Sequence, residues 1–238
     1  MEKGKITAVL GVGPGLGAAV ARKFAAEGHL VALMARSPGS HREVKGEIAA
    51  AGGRATSIAA DAGDAASVAA AFAEVRAQLG EPDVLVYNAA GFEVGGVLEL
   101  TPERFEECWR TSCLGAFLAA REVLPAMLHR GRGTILFTGA TASLRGSARF
   151  SAFAVGKFGL RALAQSIARE HGPAGVHVAH VIIDGQIETP RLRAMSPDRP
   201  SSTMLHPDAI ARTYWDLHRQ DPTAWSLELD LRPATEKF

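Results

Sequence analysis

Ile6-Thr7-Ala8-Val9-Leu10-Gly11-Val12-Gly13-Pro14-Gly15-Leu16-Gly17 decides the fold of this chain, because an apolar run leads straight into a bend with four glycines in seven residues. The segment that follows, Ala18 to Glu27, is alanine-rich and small-faced, the pattern of a helix packed close to a sheet. Strand, glycine bend and helix in that order read as a phosphate-binding turn. Glycines let the backbone approach a pyrophosphate, and the helix N-terminus favours its charge. The spacing Gly11-x-x-x-Gly15-x-Gly17, with Leu16 between the last two, differs from Gly-x-Gly-x-x-Gly, although Gly13 supplies part of that pattern too.

Working outward, apolar runs at 29–35, 55–60, 82–87, 133–138, 176–183 and 225–231 alternate with helical patterns at 44–51, 65–79, 101–128, 150–171 and 207–218. Buried runs rather than strict polar alternation predict a doubly wound α/β domain, with a mainly parallel seven-stranded sheet and helices on both faces. At 238 residues the chain is expected to form one such domain, 1–238. Thr101 is a natural N-cap, Pro102 fits the first helical position, Gly115 marks an interruption and Pro125 a kink or restart. The segment 184–207, and above all Arg191 to Pro207, shows little regular pattern and is predicted to be a mobile substrate lid.

Composition excludes several classes of partner. Lys and Arg number 26 against 25 Asp and Glu, so net charge asks for neither nucleic acid nor an anionic membrane. No basic leader precedes the first strand and no apolar run approaches about 18 residues, which predicts a soluble, cytoplasmic protein. Cys108 and Cys113, five apart in a helical stretch, suit reduced thiols. No His, Cys or carboxylate cluster has metal-ligand spacing, and no Ser-His-Asp arrangement is evident.

Cofactor choice is legible at the end of the second strand. A carboxylate about 20 residues past the glycines would suit a ribose without a 2′-phosphate. None stands here; Arg36, with Ser37 beside it, can pair with a 2′-phosphate, which favours NADP(H) over NAD(H). Asp61, after the third strand, either accepts from an adenine amino group or caps the following helix. Asn88, Ala89 and Ala90 let the chain pass close under a cofactor after the fourth strand, and Thr141 and Ser143 leave the fifth strand at its carboxyl end. Tyr87 and Tyr214 are the two tyrosines, with Tyr214 the one placed to approach a substrate. Of the sheet histidines His177 and His180, the second is nearer the site. Asp184 either orients a proton donor or ties its loop. Phe150, Phe153 and Phe158 suggest an apolar wall suited to a hydrophobic substrate.

Taken together, Gly11-x-x-x-Gly15-x-Gly17, Asp61, Asn88-Ala89-Ala90-Gly91, Lys157 and Ile187-x-Thr189-Pro190 resemble the short-chain dehydrogenase/reductase family over nearly the whole chain. The resemblance implies a Rossmann fold and hydride transfer between NAD(P) and a carbonyl, alcohol or activated double bond. It implies that Gly11 to Gly17 hold the pyrophosphate, Asp61 the adenine, Asn88 to Ala90 the adenosine side, Lys157 the nicotinamide ribose, and Ile187 with Thr189 the carboxamide. It also implies a homodimer or homotetramer built on the long helices from Thr101 and Phe150, which Ala116, Leu118, Phe158 and Leu163 permit.

The catalytic pattern departs from the family's. Phe153 stands where the family has its tyrosine, four residues before Lys157; the serine position falls on Ala140 and the helix asparagine on Ser112. A phenyl ring has no proton to give. Thr141 and Ser143, near the vacant serine position, are the remaining hydroxyl candidates. The expected function is an oxidoreductase acting on an unidentified small molecule with a non-standard proton source. The alternative is an NADP(H)-binding pseudoenzyme serving as a sensor or assembly partner.

Overall fold

The computed structural model describes residues 4–236. In chain order the main elements are β1 (Ile6–Leu10), α1 (Leu16–Ala26), β2 (Leu30–Ala35), α2 (Arg42–Ala50), β3 (Arg54–Ala59), α3 (Ala65–Gln78) and β4 (Val84–Tyr87). There follow α4 (Pro102–Trp109), α5 (Gly115–Arg130), β5 (Gly133–Thr138), α6 (Ser151–His171), β6 (Val176–Ile183), α7 (Pro190–Met195), α8 (Pro207–His218) and β7 (Glu228–Leu231). The strands form one sheet in the order β3-β2-β1-β4-β5-β6-β7, and all six pairings are parallel. Chain direction across the sheet reverses between β1 and β4, which opens a crevice at their carboxyl ends where such sheets take ligands.

Helices cover both faces, so the inner strands are mostly apolar and every residue of β1 and β6 is buried, Thr7, His177 and His180 included. One core lies under α3, α5 and α6, with Phe72, Met127 and Leu160 packed on Leu85 and Ile135. The other lies under α1, α2 and α8, where Phe24, Ile48 and Tyr214 meet Val31, Leu33 and Val86. Full burial of side chains of this size contributes about 1.5–3 kcal/mol each relative to exposure.

Three expectations need correction. The helix from Pro102 is continuous to Arg130 through a π-helical turn, Arg110–Leu114, with no break at Gly115 and with Pro125 accommodated inside. Gly115 is instead a close-approach residue, since a Cβ there would lie 2.1 Å from the Ala62 carbonyl oxygen. This 29-residue helical stretch is long and apolar enough to cross a membrane by length and composition, although no unbroken apolar run announced it. Ala116, Ala119, Ala120, Val123 and Met127 on it are buried against the sheet and α3. Ala116 is therefore unavailable to a partner subunit; the large exposed apolar side chains on α5 and α6 are Phe117, Val155 and Phe158.

The third correction concerns 184–207, which is more regular than expected. Thr189 caps α7 by accepting from Leu192 N at 3.2 Å, Ile187 bridges to Leu205, and Arg193 holds Glu188 while Arg199 bonds Gln186. Its elements are too short for periodicity to reveal, and side-chain pairs within the segment hold them.

Candidate active site

The glycine turn has two kinds of glycine. Gly11 (φ 103°) could carry no side chain, because a Cβ would lie 2.3 Å from Ala89 N, and at Gly17 it would lie 2.5 Å from the Gly11 carbonyl oxygen. At Gly15 it would meet Thr189 Cγ2 at 2.8 Å, whereas at Gly13 nothing stands within 4 Å. Gly17 thus closes the turn on itself, Gly11 lets the loop after β4 come against it, and Gly13 leaves a face open. Gly11 N and Val12 N donate to Met34 O at 2.8 and 3.1 Å, and Asn88 Nδ2 donates to Gly11 O at 2.9 Å. Leu16 is buried and its side chain packs in the core; it reaches the turn only through its backbone, in the first turn of α1.

Beside the turn lies a groove of about 550 Å³, lined by Gly11 to Gly13, Arg36, Asp61 and Asn88 to Phe92. Arg36 and Ser37 are exposed at the end of β2. Asp61 does not cap α3. That role belongs to Asp64, which accepts from Ser67 N at 2.6 Å, while Asp61 Oδ1 accepts from Gly63 N at 2.9 Å. Asp61 lines the groove together with Arg36.

At the other end of the crevice, Lys157 is 3 % exposed and its Nζ donates to Thr138 O at 2.7 Å. Burial in apolar surroundings lowers its pKa to about 8. Its ammonium has two donors besides the one given to Thr138. Phe153 packs edge-on against Phe92 (5.2 Å between ring centroids), and Phe92 also meets Phe150 at 6.0 Å. The apolar wall is therefore Phe92, Phe150 and Phe153. Phe158 is exposed on α6.

The loop carrying Phe92 is pinned. Gly95 N donates to Arg149 O at 2.9 Å, and the Arg149 guanidinium grips both oxygens of Glu99 at 2.8 and 2.7 Å. Arg149 adopts φ 69°, a left-handed conformation that costs a non-glycine residue energy and that this double contact holds.

The hydroxyl candidates divide sharply. Ser112 is fully buried, its Oγ accepting from Gly91 N at 3.0 Å, so it shapes the loop after β4 and offers nothing to a substrate. Ser143 is fully buried as well: it accepts from Ala140 N at 3.2 Å and faces His180 Nε2 at 3.3 Å. Burial lowers the His180 pKa to about 4, so that ring is neutral. Thr141 alone is partly exposed; its Oγ1 donates to Asp184 Oδ1 at 2.5 Å, and Asp184 is paired with Arg232 at 3.4 Å.

Neither tyrosine reaches the crevice. Tyr87 is wholly buried and donates to Thr111 O, and Tyr214 is wholly buried against Thr138 Oγ1 at 2.8 Å. Burial pushes both phenols well above their ordinary range. The expected approach of Tyr214 to a substrate does not occur, because α8 turns that face into the core. His177 stacks on Trp225 at 4.8 Å and bonds Ser226 O, a structural role. Among the described residues no group of three His, Cys, Asp or Glu side chains gathers as a metal site.

Sequence reasoning missed Phe92 and Arg232. Phe92 directly follows Asn88-Ala89-Ala90-Gly91, which is a usable signal; Arg232 carries none, since it reaches the site only because β7 lies beside β6.

Comparison with known proteins agrees with this geometry. The family model of short chain dehydrogenases matches residues 5–200. The 3-oxoacyl-[acyl-carrier-protein] reductase MabA of Mycobacterium avium is 32% identical over 187 residues, 79% of this chain and 69% of that protein. Among solved structures, a short-chain dehydrogenase from Rhodopseudomonas palustris is 39% identical with a TM-score of 0.84, covering 96% of this chain and 98% of the other. A metagenomic short-chain oxidoreductase in complex with NADP is 31% identical with a TM-score of 0.85, covering 98% and 99%. With its glycine turn, its seven parallel strands and its buried lysine at the crevice, the chain belongs to the short-chain dehydrogenase family.

Proposed function

We propose that this protein is an NADP(H)-dependent oxidoreductase whose catalytic centre lacks the family's tyrosine and serine. The observation that carries the cofactor choice is Arg36, exposed on the groove at the end of β2 with no carboxylate in its place. The NADP bound by the metagenomic relative supports the same reading. The residues fit such a group: the open face at Gly13 and the start of α1 suit a pyrophosphate, and Arg36 with Ser37 a 2′-phosphate. Asp61 suits the adenine and Asn88, Ala89 and Ala90 the adenosine side. The two remaining donors of Lys157 suit the ribose hydroxyls, and Ile187 with Thr189 the carboxamide. When bound, the nicotinamide supplies a hydride donor or acceptor. The segment 184–207 acts as a lid over this end, and the wall of Phe92, Phe150 and Phe153 keeps water from an apolar small-molecule substrate. Phe117, Val155 and Phe158 supply an apolar face for a homodimer or homotetramer, checked by sedimentation at micromolar concentration.

The reading is tested by following NADPH oxidation with a panel of aldehydes, ketones and enones, and NADP⁺ reduction with alcohols. Substrate-dependent turnover supports it, and none in either direction contradicts it. Phe153 and Ala140 favour a second reading, a cofactor-binding protein without turnover. That reading requires cofactor binding with no hydride transfer even in Phe153→Tyr.

A further inference from the structure

We propose that Thr141 and Asp184 form the proton relay of this centre, and that its substrate presents a hydroxyl on an apolar carbon framework: an alcohol oxidised to a carbonyl. The proposal rests on the oxidoreductase reading above and supplies the group that Phe153 and Ala140 cannot.

The argument is one of hydrogen-bond polarity. A threonine hydroxyl has one proton to donate and two lone pairs to accept with. Thr141 Oγ1 gives its proton to the Asp184 carboxylate at 2.5 Å, so its remaining hydrogen-bonding capacity is lone pairs only. A partner for that oxygen must itself be a donor, which an alcohol is and a ketone is not. The other hydroxyls at or near the family's catalytic positions are closed off: Ser112, at the asparagine position, on Gly91, and Ser143, three residues past the vacant serine position, between Ala140 N and His180. Both phenols lie in the cores. A carbonyl oxygen would find no comparable donor among these side chains, whereas a hydroxyl finds an acceptor backed by a carboxylate.

The placement supports a built relay. Thr141 follows the vacant serine position directly, in the turn that leaves β5, and α6 with Phe153 and Lys157 packs on that turn. Asp184 ends β6 and is 7 % exposed, its backbone N donating to Leu231 O at 2.8 Å. Arg232, beside that strand end, balances its charge. The neighbouring Gly185 (φ 146°) is braced by Pro233, whose Cδ a Cβ would approach to 3.0 Å. The C-terminal segment after β7 thus fixes Asp184 in place.

The step balances. The substrate O–H proton passes to Thr141 Oγ1 as the threonine's own proton passes to Asp184 Oδ1. The carbinol C–H bond breaks with its electron pair leaving as hydride to the oxidised nicotinamide nucleotide, and the C–O single bond becomes C=O. Asp184 then releases its proton to solvent. Thr141 is the residue in contact with substrate, and Asp184 acts through it.

The test uses the full chain with NADP⁺ and a fixed panel of 1-phenylethanol, cyclohexanol, cinnamyl alcohol and 2-octanol. The variants are Thr141→Val, Thr141→Ser and Asp184→Asn, each first titrated with NADPH by nicotinamide fluorescence to show that it is folded and loads cofactor as wild type does. Losing a positioned proton acceptor costs about 10²- to 10⁴-fold. Thr141→Val and Asp184→Asn are expected to lower kcat at least about 100-fold with KM within about threefold, and Thr141→Ser to keep kcat within about tenfold. A second readout needs no turnover: the Asp184 carboxyl-carbon NMR resonance should move in cofactor-free Thr141→Val and stay in Thr141→Ser. Thr141→Val with wild-type kcat, or Thr141→Ser as slow as Thr141→Val, overturns the relay while leaving the oxidoreductase reading intact. Reduction of ketones or enones by a wild-type protein that oxidises no alcohol in the panel does the same. No turnover in either direction overturns both.

Discussion

Lys157 Nζ lies 2.7 Å from the carbonyl oxygen of Thr138, an ammonium held almost out of water with a backbone acceptor and, among the described residues, no carboxylate paired with it. Such a charge costs the fold and is retained for something outside it. Because burial lowers the Lys157 pKa from 10.5 to about 8, the unfolded chain binds more protons than the folded one between those values, and stability rises with pH across that window. Replacing Lys157 by Met is therefore expected to stabilise the cofactor-free protein at pH 7 by about 1–2 kcal/mol in urea melts, to abolish the alkaline rise, and to weaken NADPH binding about tenfold or more. A destabilised Lys157→Met protein would show that the lysine serves the fold.

The glycines of the first turn separate structural from ligand roles. Gly17→Ala pushes a Cβ to 2.5 Å from the Gly11 carbonyl and is expected to cost about 1–3 kcal/mol or more; Gly11→Ala adds a strained φ to a tighter clash and costs more. Gly13→Ala meets nothing within 4 Å, so its denaturation midpoint should match wild type within about 0.5 kcal/mol. Its NADPH dissociation constant should nevertheless rise about tenfold if that face receives the pyrophosphate. Unchanged binding in Gly13→Ala would place the phosphates elsewhere.

Three histidines make the fold acid-sensitive. His29, bonded to Thr7 Oγ1 at 2.7 Å, His180, beside Ser143, and His218, bonded to Thr134 Oγ1 at 2.9 Å, are each lowered from 6.5 to about 4 by burial. Unfolded, they bind protons that the folded protein refuses, so their contribution is present above pH 6.5 and is lost as pH falls toward 4. The loss is on the order of 3 kcal/mol per histidine. The urea midpoint should fall between pH 7 and pH 5, by the equivalent of about 2 kcal/mol per histidine, and His29→Asn should reduce the fall by its own share. A midpoint independent of pH between 7 and 5 contradicts the buried neutral rings.

The sheet and the glycine turn were legible because they depend on local signals. Apolar runs marked the strands within about three residues, and the glycine spacing marked the turn whose close contacts at Gly11 and Gly17 explain it. The catalytic end was less legible. That Tyr214 points into the core depends on which face of α8 meets β5, and that Arg232 reaches Asp184 depends on β7 pairing with β6; neither leaves a mark on the local sequence. The order in 184–207 was hidden for a related reason: Arg193 and Arg199 hold it through single long side chains reaching Glu188 and Gln186, and short capped turns show no periodicity. The exposed role expected for Ala116 failed because an alanine on a long helix looks alike on its buried and open faces.

The central claim, that the strand-end arginine reads a 2′-phosphate on a dinucleotide seated over the glycine turn, is tested most directly by a side-by-side titration. NADPH and NADH are titrated into wild type and Arg36→Ala, following nicotinamide fluorescence. The account predicts clearly tighter binding of NADPH by wild type. Arg36→Ala should weaken NADPH about tenfold to a hundredfold, the loss of a charge-assisted pair worth about 1.5–3 kcal/mol, and leave NADH within about twofold. Equal affinity for the two nucleotides in wild type, or an Arg36→Ala protein that binds NADPH as wild type does, would contradict it.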